Sequence, residues 1–312
     1  MYIIDAIMYA NLLTIMTIGF TLTYIIAKIP NFAHGTFAVI GIYVTYTVSE
    51  IWGLNPYLSI PLSFFVVGGV ALTQYFFIIR PLIKMKATRI SLTITTIAME
   101  IIIFAVVNVY IEYIRKVYAA QGLYPVAFLL KRKDFTIFNL PGVFIVSSIL
   151  IITITTLLYL MLTKTKFGIA MRATVEDSEL ASVMGVDVNK VNAFAWFLPG
   201  GLAGMAGSIM PLWFQAHSQV GSYIIISTFA GSILGGISSI YGAIIGGFIV
   251  GLSETLGVIF LSDIIGSWIT AYRLLIPLTI LAVTLLILPK GFTGLIEDYM
   301  DKRILSKLGE RK

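Results

Sequence analysis

Long apolar runs separated by short polar links constrain this chain more than any other feature. A helix needs about 20 mainly apolar residues to cross the hydrocarbon core of a bilayer. Nine candidate spans of this kind lie at 6–27, 32–50, 57–79, 90–111, 141–163, 191–213, 223–238, 242–262 and 269–288. Glycine or proline interrupts several of them, and 223–238 is the shortest, so we count eight or nine crossings. The pattern predicts an all-α integral membrane protein built as a polytopic helix bundle.

The composition excludes a soluble globule. Hydrophobic residues make up 58% of the chain and charged residues only 12%, whereas a soluble domain carries about 25% charged residues. The chain has no cysteine and two histidines, which removes disulfides and leaves little room for a histidine-rich metal site. Its net charge of +6 is typical of basic cytoplasmic loops and indicates no nucleic-acid partner. No Lys or Arg precedes Lys28, so we expect a retained first span and not a cleaved signal peptide.

The basic residues predict which side of the membrane each link occupies. They lie after the first, third and fifth spans and in the C-terminal tail 290–312, and nine crossings put all of these on one side. The positive-inside rule makes that side cytoplasmic and the N-terminus external. Segment 112–140 also carries five basic residues, yet the same count places it outside. A re-entrant piece near 122–130 is the alternative reading of this segment.

The most polar link is the predicted cytoplasmic loop 164–190, in which we expect a short amphipathic helix over 174–185. Thr174 is the predicted N-cap, and Gly185 has the residue type that favours a left-handed stop. Acidic residues near the start of a helix interact favourably with its positive end, and here they are Glu176, Asp177 and Glu179. The apolar side would be formed by Ala181, Val183 and Met184. The pattern fits either a helix lying on the bilayer or a docking helix whose charges, with Arg172, set the register with a cytoplasmic partner.

Polar and ionisable residues inside the spans are candidates for a solute path. Asn31, His34 and Gly35 begin the second span, where they would either cap the helix or line a path. Glu100 and Glu254 lie within apolar runs, and a carboxyl group there must face the bundle interior or water. Each is either a hydrogen-bonded helix linker or a proton-coupling acid, and the linking role is favoured for Glu254.

The C-terminal third combines many glycines with a single arginine inside a span. The glycines singled out are Gly235, Gly236, Gly242, Gly246 and Gly247. A small-x-x-x-small spacing such as Gly242 with Gly246 lets helices approach closely, and a dense glycine content favours jointed helices of the transporter kind. Arg273, near the outer end of the last span, is expected to extend to the membrane interface.

Motifs for catalysis and nucleotide binding are absent from the sequence. It contains no G-x-x-x-x-G-K-[ST], no H-E-x-x-H and no G-x-S-x-G, so it does not bind ATP through a P-loop. We therefore expect a non-enzyme with no catalytic residue, no metal site and no cofactor on this chain. Any energy for active transport would have to come from partner chains.

Several motifs together resemble the permeases of branched-chain amino-acid ABC importers, and most of all their smaller, LivH-type subunit. The matching stretches are Asn31–Gly35 (their N-F-A-H-G), Arg80–Leu82 (R-P-L), Lys166–Gly185 (the coupling loop), Gly235–Gly247 (G-G-x-G-S-x-x-G-A-x-x-G-G), Glu254 (G-x-x-E) and Pro289–Gly294 (R-P-x-G-L-x-G). They occur in the family's order over nearly the whole chain. Ser238 stands where the pattern has glycine.

The resemblance implies one transmembrane permease domain over 1–312 with a fold like that of type II ABC-importer permeases, a coupling loop at 164–190 and a cytoplasmic tail at 290–312. It implies import of leucine, isoleucine and valine across the cell membrane. The implied partners are a paralogous second permease chain, two cytoplasmic ABC ATPase subunits and an extracytoplasmic solute-binding protein. The implied ATPase-coupling residues are Arg172, Glu176, Asp177, Glu179, Ala181 and Gly185. Candidate path or helix-joint residues are Asn31, His34, Gly35, Gly235, Gly236, Gly242, Gly246, Gly247 and Glu254.

Other functional classes stay open on the residues alone. A path of small residues suits urea, short amides or other amino acids as well as branched-chain ones. Glu100 or Glu254 could couple solute flux to protons in a secondary transporter, and a passive channel or a membrane scaffold would need neither. The acidic loop and the missing P-loop favour an ABC permease over all of these.

Overall fold

The computed structural model describes residues 2–295, and almost all of that part is helical. The helices are α1 (Tyr2–Ala27), α2 (His34–Tyr46), α3 (Ser59–Gln74), α4 (Arg80–Lys84), α5 (Arg89–Val117), α6 (Gly142–Lys164), α7 (Lys166–Glu176), α8 (Ser178–Val183), α9 (Val188–Ile209), α10 (Val220–Gly235), α11 (Ile240–Ile265) and α12 (Leu275–Ile287). Two-residue strands are β1 (Ala127–Phe128), β2 (Thr136–Ile137), β3 (Leu140–Pro141) and β4 (Ala216–His217). π-Helical turns at Thr47–Ile51 and Tyr75–Ile79 extend α2 and join α3 to α4.

Within residues 2–295, seven helices are long and apolar enough to cross a membrane. They are Tyr2–Ala27, Pro56–Lys84, Arg89–Val117, Gly142–Lys164, Val188–Leu212, Ile240–Ile265 and Leu275–Leu295. Helix α10 is apolar but shorter, in agreement with the expectation that 223–238 is the shortest span. The predicted all-helical, multi-pass fold is confirmed. The expected span 269–288 is wrong at its start, because a 3₁₀ turn occupies Ser267–Tyr272 and α12 begins only at Leu275.

By contacts between residues the chain divides into two compact units. The central unit is Leu22–Ile225, and the terminal unit consists of the described residues of Met1–Thr21 and Ile226–Lys312. Of the predicted cytoplasmic tail 290–312, residues 296–312 lie outside the described part of the chain.

Small residues bring the helices of the central unit into backbone contact. A Cβ added at Gly41 would collide with the carbonyl oxygen of Gly204, and one at Gly207 would collide with that of Ala38. Such contacts let α2 and α9 approach closely, as small residues do in membrane helix pairs. Hydroxyl groups supplement this packing, because Thr45 Oγ1 donates a hydrogen bond of 2.8 Å to the Ser208 carbonyl.

One end of the central unit is closed by short strands and polar contacts. Strand β1 pairs antiparallel with β4, and β2 pairs antiparallel with β3. Lys133 Nζ lies 2.9 Å from Glu50 Oε1, and Tyr57 Oη donates to Asp134 Oδ1 over 2.5 Å. Residues 122–130 contain strand β1 and no helix, so the segment considered as re-entrant is tied down as part of this strand-paired cover.

The helices of the terminal unit pack through glycine and hydroxyl side chains. Thr21 Oγ1 and Ser232 Oγ are 2.7 Å apart and share a hydrogen bond. The rings of Phe20 and Phe229 meet edge to face with centroids 5.6 Å apart. Gly231 packs against Gly247, so α10 and α11 touch where neither helix carries a side chain.

Candidate functional site

The predicted docking loop folds as two helices, α7 and α8, that meet at Asp177. Thr165 Oγ1 accepts the N–H of Gly168 at 3.2 Å and caps α7, so the helix is already running at Thr174. Asp177 has an extended backbone (φ −149°, ψ 107°), and its Oδ1 accepts the N–H groups of Glu179 and Leu180 at 2.9 and 3.0 Å. The predicted N-cap at Thr174 is therefore wrong, and Asp177 caps the second helix.

Gly185 ends the second helix, in agreement with the sequence-based expectation. Its φ of +89° lies in the left-handed region, which an L side chain adopts only with strain. The Gly185 N–H donates to the Ser182 carbonyl and the Val186 N–H to the Ala181 carbonyl, both over 3.0 Å. This pair of hydrogen bonds is a Schellman motif, so α8 has a defined cap at each end.

The apolar residues of α8 do not share one side as expected. Ala181 is only 4% exposed, whereas Leu180, Val183 and Met184 are 60%, 83% and 78% exposed. We call these three exposed residues the docking face. Large apolar side chains held outward on a doubly capped helix leave apolar surface uncovered, and such surface commonly marks an interaction site.

We call residues 166–185, which contain α7, α8 and Gly185, the docking segment. Arg172 connects this segment to the preceding span, α6. Its guanidinium donates to the carbonyl of Leu162, one of the last carbonyls of α6 that lack a partner within the helix. Gly168 lies against the same carbonyl, and a Cβ there would collide with it. A movement of α7 would therefore pull on the end of α6.

Asp187 begins the next span. Its Oδ1 accepts the N–H of Lys190 at 3.1 Å, and its Oδ2 lies 3.2 Å from Lys190 Nζ. These contacts with the Lys190 N–H and ammonium lower the pKa of the Asp187 carboxyl below its usual value. The carboxylate also interacts favourably with the positive end of α9.

Glu254 lies in a buried ion pair within the terminal unit. Its Oε1 accepts from Arg273 Nε at 2.8 Å and lies 2.7 Å from Arg273 Nη2, and Tyr9 Oη is 3.1 Å from both carboxylate oxygens. The Glu254 side chain is 1% exposed and that of Arg273 is 43% exposed. Arg273, which is expected to extend to the membrane interface, also pairs with this buried carboxylate, a partner that the sequence analysis did not predict.

The Asn31–Gly35 stretch forms the turn into α2 in the central unit. Asn31 Oδ1 accepts the N–H of Ala33, and the Asn31 carbonyl accepts that of His34, both at 3.2 Å. His34 is fully buried at the start of α2, and a Cβ at Gly35 would collide with the Gly221 carbonyl. Asn31 thus closes the turn that precedes α2, and the N-cap position itself is Ala33, with no side-chain cap.

Glu100, the other carboxylic acid within a predicted span, lies in the central unit. It is half-buried, and one carboxylate oxygen accepts from Ser222 Oγ at 3.2 Å. Among residues 2–295, no three His, Asp or Glu side chains come together as a metal site would require.

The glycines of the C-terminal third form a tight joint between α10 and α11. Gly235 and Gly242 each lie against the other's carbonyl oxygen, and Gly246 lies against the carbonyl of Gly231. Gly236 has φ +105°, a conformation that favours glycine. Thr293 Oγ1 donates to the Gly235 carbonyl at 3.0 Å. Two stretches that carried the family resemblance, Gly235–Gly247 and Pro289–Gly294, are therefore in contact.

The remaining predicted glycine, Gly247, packs on α1 beside Thr17. The predicted site residues thus fall into the docking segment and the α2 turn of the central unit, and the glycine joint and Glu254 of the terminal unit. Tyr9 and Arg273 were missed as partners of Glu254. Arg273 itself was a visible signal, since an arginine in an apolar run needs an anion nearby.

Comparison with known proteins agrees with this architecture. The family model described as "Branched-chain amino acid transport system / permease component" matches residues 2–285. A probable branched-chain amino acid transport permease protein LivH from Methanocaldococcus jannaschii is 42% identical over 301 residues, which cover 96% of this chain and 94% of the relative. The high-affinity branched-chain amino acid transport system permease proteins LivH of Escherichia coli K12 and BraD of Pseudomonas aeruginosa are each 28% identical over 90% of this chain, covering 90% and 91% of those proteins.

A solved structure has the same fold. PsaBC from Streptococcus pneumoniae, determined in complex with Fab, matches with a TM-score of 0.52 and 14% identity, covering 94% of this chain and 95% of that one. The match of the family model to most of the chain, the relatives and the multi-pass helical fold agree. This chain belongs to the family of branched-chain amino acid transport system permease components, which are multi-pass proteins of the cell membrane.

Proposed function

We propose that this chain is the permease subunit of an ATP-binding-cassette importer that carries leucine, isoleucine and valine into the cell. ATP would be hydrolysed on two separate subunits, and an extracytoplasmic binding protein would deliver the solute. A second, similar permease chain would complete the path. The observation that carries the proposal is the family match over residues 2–285, together with relatives named as branched-chain amino acid permeases.

The docking segment supports coupling to an external ATPase. A partner that pushes or pulls on a permease needs a contact that is rigid and apolar at its centre. Helix α8 is capped at both ends, and the docking face of Leu180, Val183 and Met184 is exposed. Arg172 connects this segment to the end of α6, so force applied at α8 would reach a membrane span. Glu176, which is exposed, would set the register with a basic partner surface.

The surroundings of Glu254 argue against proton coupling through this acid. Its carboxylate is already engaged by Arg273 Nη2 at 2.7 Å and by Tyr9 Oη at 3.1 Å. The ion pair between Glu254 and Arg273 joins α11 to the stretch just before α12. The hydrogen bond from Tyr9 connects α1 to the same carboxylate. A helix-linking ion pair accounts for all of these contacts, so Glu254 is proposed as a structural group.

The experiment compares ATP-driven uptake by two matched variants. Val183→Asp places a charge on the docking face, whereas Met85→Asp places one on an equally exposed apolar residue (77%) outside the docking segment. Both variants are co-reconstituted with the ATPases, the second permease and the binding protein, and labelled leucine uptake is measured with and without ATP. Val183→Asp should lower ATP-dependent uptake by about tenfold or more, since a charge buried in an interface costs over about 1.4 kcal/mol.

The Met85→Asp variant shows whether a loss of uptake is specific to the docking face. Met85→Asp should retain uptake, and both variants should insert and purify like the wild type. Equal uptake by Val183→Asp and the wild type would remove α8 from the coupling path. Leucine uptake that needs no ATP in any variant would overturn the proposed ABC mechanism itself.

A further inference from the structure

A cavity of about 820 Å³ opens at the end of the central unit that carries the docking segment. Its wall comes from four separate pieces of chain: the end of α1, the stretch from Tyr75 through α4 to the start of α5, residues 174–179, and the start of α9. Small-molecule sites in proteins commonly measure about 300–1,000 Å³. The cavity is therefore of a size that suits a ligand, and its wall includes the docking segment.

Two aromatic residues of the lining, Tyr75 and Trp196, give the cavity an apolar surface that we call the floor. The rings of Tyr75 and Trp196 stack with centroids 6.3 Å apart and an interplanar angle of 25°. Both side chains are buried in one cluster with Leu92, and Ala87 packs against it. A floor of this kind would receive an aliphatic side chain.

Four basic residues, which we call the basic rim, also line the cavity. The basic lining residues are Lys28, Arg80, Lys84 and Arg89. None of them forms an ion pair with any residue between 2 and 295. Arg80 Nε is buried without a hydrogen-bond partner. Arg89 is the first residue of α5, where the positive end of the helix disfavours a cation, so helix formation does not account for the charge at this position.

Three acidic residues, which we call the acidic wall, line the same cavity. They are Glu176, Asp177 and Glu179, and Asp177 is already occupied as the cap of α8. The carboxylates of Glu176 and Glu179 form no ion pair within the part of the chain that the structure describes. The cavity is thus lined by cations and anions that come from different pieces of chain and form no ion pair with each other, and by the rings of Tyr75 and Trp196.

We propose that this cavity binds a zwitterionic amino acid with an aliphatic side chain. The basic rim receives the α-carboxylate, Glu179 receives the α-ammonium group, and the side chain lies on the Tyr75–Trp196 floor. A polyanion such as a nucleotide would meet the acidic wall, and a lone fatty acyl chain would leave both sets of charges unpaired. The choice of leucine as the probe rests on the proposed function.

A ligand in this position bridges the docking segment and the membrane helices. It contacts residues 174–179 and the ends of α1, α4 and α5. Such a bridge favours one position of the docking segment, because binding stabilises the arrangement it fits. The basic links at this end are predicted to be cytoplasmic, so the accumulated product acts on the transporter that imports it, and internal leucine slows uptake.

Equilibrium binding to the full chain in phosphatidylcholine nanodiscs tests the site. Labelled leucine is titrated against the wild type and against Arg89→Gln, Lys84→Gln and Glu179→Gln. Each variant should weaken leucine binding by about tenfold, the expected loss of one hydrogen bond between charged groups. Lys116→Gln is the matched control, because Lys116 is exposed on the same helix as Arg89 but in its last turn, outside the cavity.

Single-charge analogues identify the ligand class. 4-Methylpentanoate has the carboxylate alone and 3-methylbutylamine the ammonium group alone, so neither should displace leucine at equal concentration. Equal displacement by 4-methylpentanoate would make this an anion site and overturn the proposal. Displacement of leucine by phosphatidylglycerol in the nanodisc, with the same dependence on Arg89, would assign the cavity to a lipid headgroup. Leucine binding that is absent, or equal in all variants, would also overturn it.

A transport arm separates this proposal from the proposed function. In the assembled transporter, leucine preloaded inside the vesicles should slow ATP-driven uptake for the wild type and Lys116→Gln, and much less for Arg89→Gln. ATP-driven uptake without any Arg89-dependent binding would refute the cavity proposal alone. Arg89-dependent binding without ATP-driven uptake would refute the transport proposal alone.

Discussion

Replacing either partner of the Glu254–Arg273 pair should destabilise the protein to different extents. Removing one member of a fully buried ion pair costs about 3–5 kcal/mol, because the other charge is left without compensation. The Arg273→Gln variant leaves a carboxylate that is 1% exposed with Tyr9 as its only remaining donor among these contacts, so we expect a loss near about 3 kcal/mol. In Glu254→Gln the arginine, 43% exposed, can turn to water, and the loss should be about 1 kcal/mol.

The assay is unfolding of the purified chain in mixed micelles, followed by circular dichroism as denaturing detergent is increased. The double variant completes a cycle, and its loss should be smaller than the sum of the single losses by about 1–3 kcal/mol. ATP-driven leucine uptake should persist in Glu254→Gln, because the acid is assigned a structural role. Equal destabilisation by the two single variants, or additive losses in the double variant, would refute the buried-pair reasoning.

Four further outcomes follow from local geometry. Gly242→Ala should cost about 1–3 kcal/mol in the same unfolding assay, because the added Cβ collides with the Gly235 carbonyl. Gly185→Ala should cost about 1 kcal/mol through backbone strain alone, since nothing lies within 4 Å of the added Cβ. Glu176→Lys should insert and assemble normally but lose ATP-driven uptake, which vesicle assays with purified ATPases would measure. The lowered pKa of Asp187 means that its cap stabilises the folded state above the unfolded pKa and is lost as pH falls through the folded pKa, so hydrogen exchange at the start of α9 should speed up in acid.

Residue type predicts the C-terminal end of α8 correctly and its N-terminal end incorrectly. Gly185 was predicted as a stop because glycine adopts a left-handed conformation without strain, and the structure has it at φ +89°. Thr174 and Asp177 are both good N-cap residues three positions apart, and pattern alone chose the wrong one. The choice depends on Thr165, whose cap starts α7 early enough to carry Thr174 inside the helix.

Long-range contacts explain the other differences. The G-x-x-x-G spacing predicts that α11 approaches another helix closely, but it does not say that Gly235 and Gly231 of α10 are the partners. Arg273 lies 19 residues from Glu254, and Tyr9 lies 245 residues from it. No periodicity connects such positions, so only the folded chain reveals that the buried acid has two partners.

The cavity beside the docking segment also depends on contacts between residues that are remote in sequence. Lys28, Arg80 and Arg89 were grouped by sequence only as basic residues of one membrane side. The structure brings them into the lining of one cavity together with Glu176. Charge counting along the chain predicts a side of the membrane, whereas a site requires the distances between pieces of chain that are remote in sequence.

Solute uptake into proteoliposomes tests whether this chain belongs to an ATP-driven importer of branched-chain amino acids. The chain is reconstituted with its permease partner, ATPases and binding protein, and labelled leucine, isoleucine, valine and urea are offered with and without ATP and under an imposed pH gradient. The account predicts saturable uptake of the three amino acids that requires ATP and ignores the pH gradient. Leucine uptake that follows the pH gradient without ATP would contradict it, and ATP-driven uptake of urea alone would contradict the assigned solute.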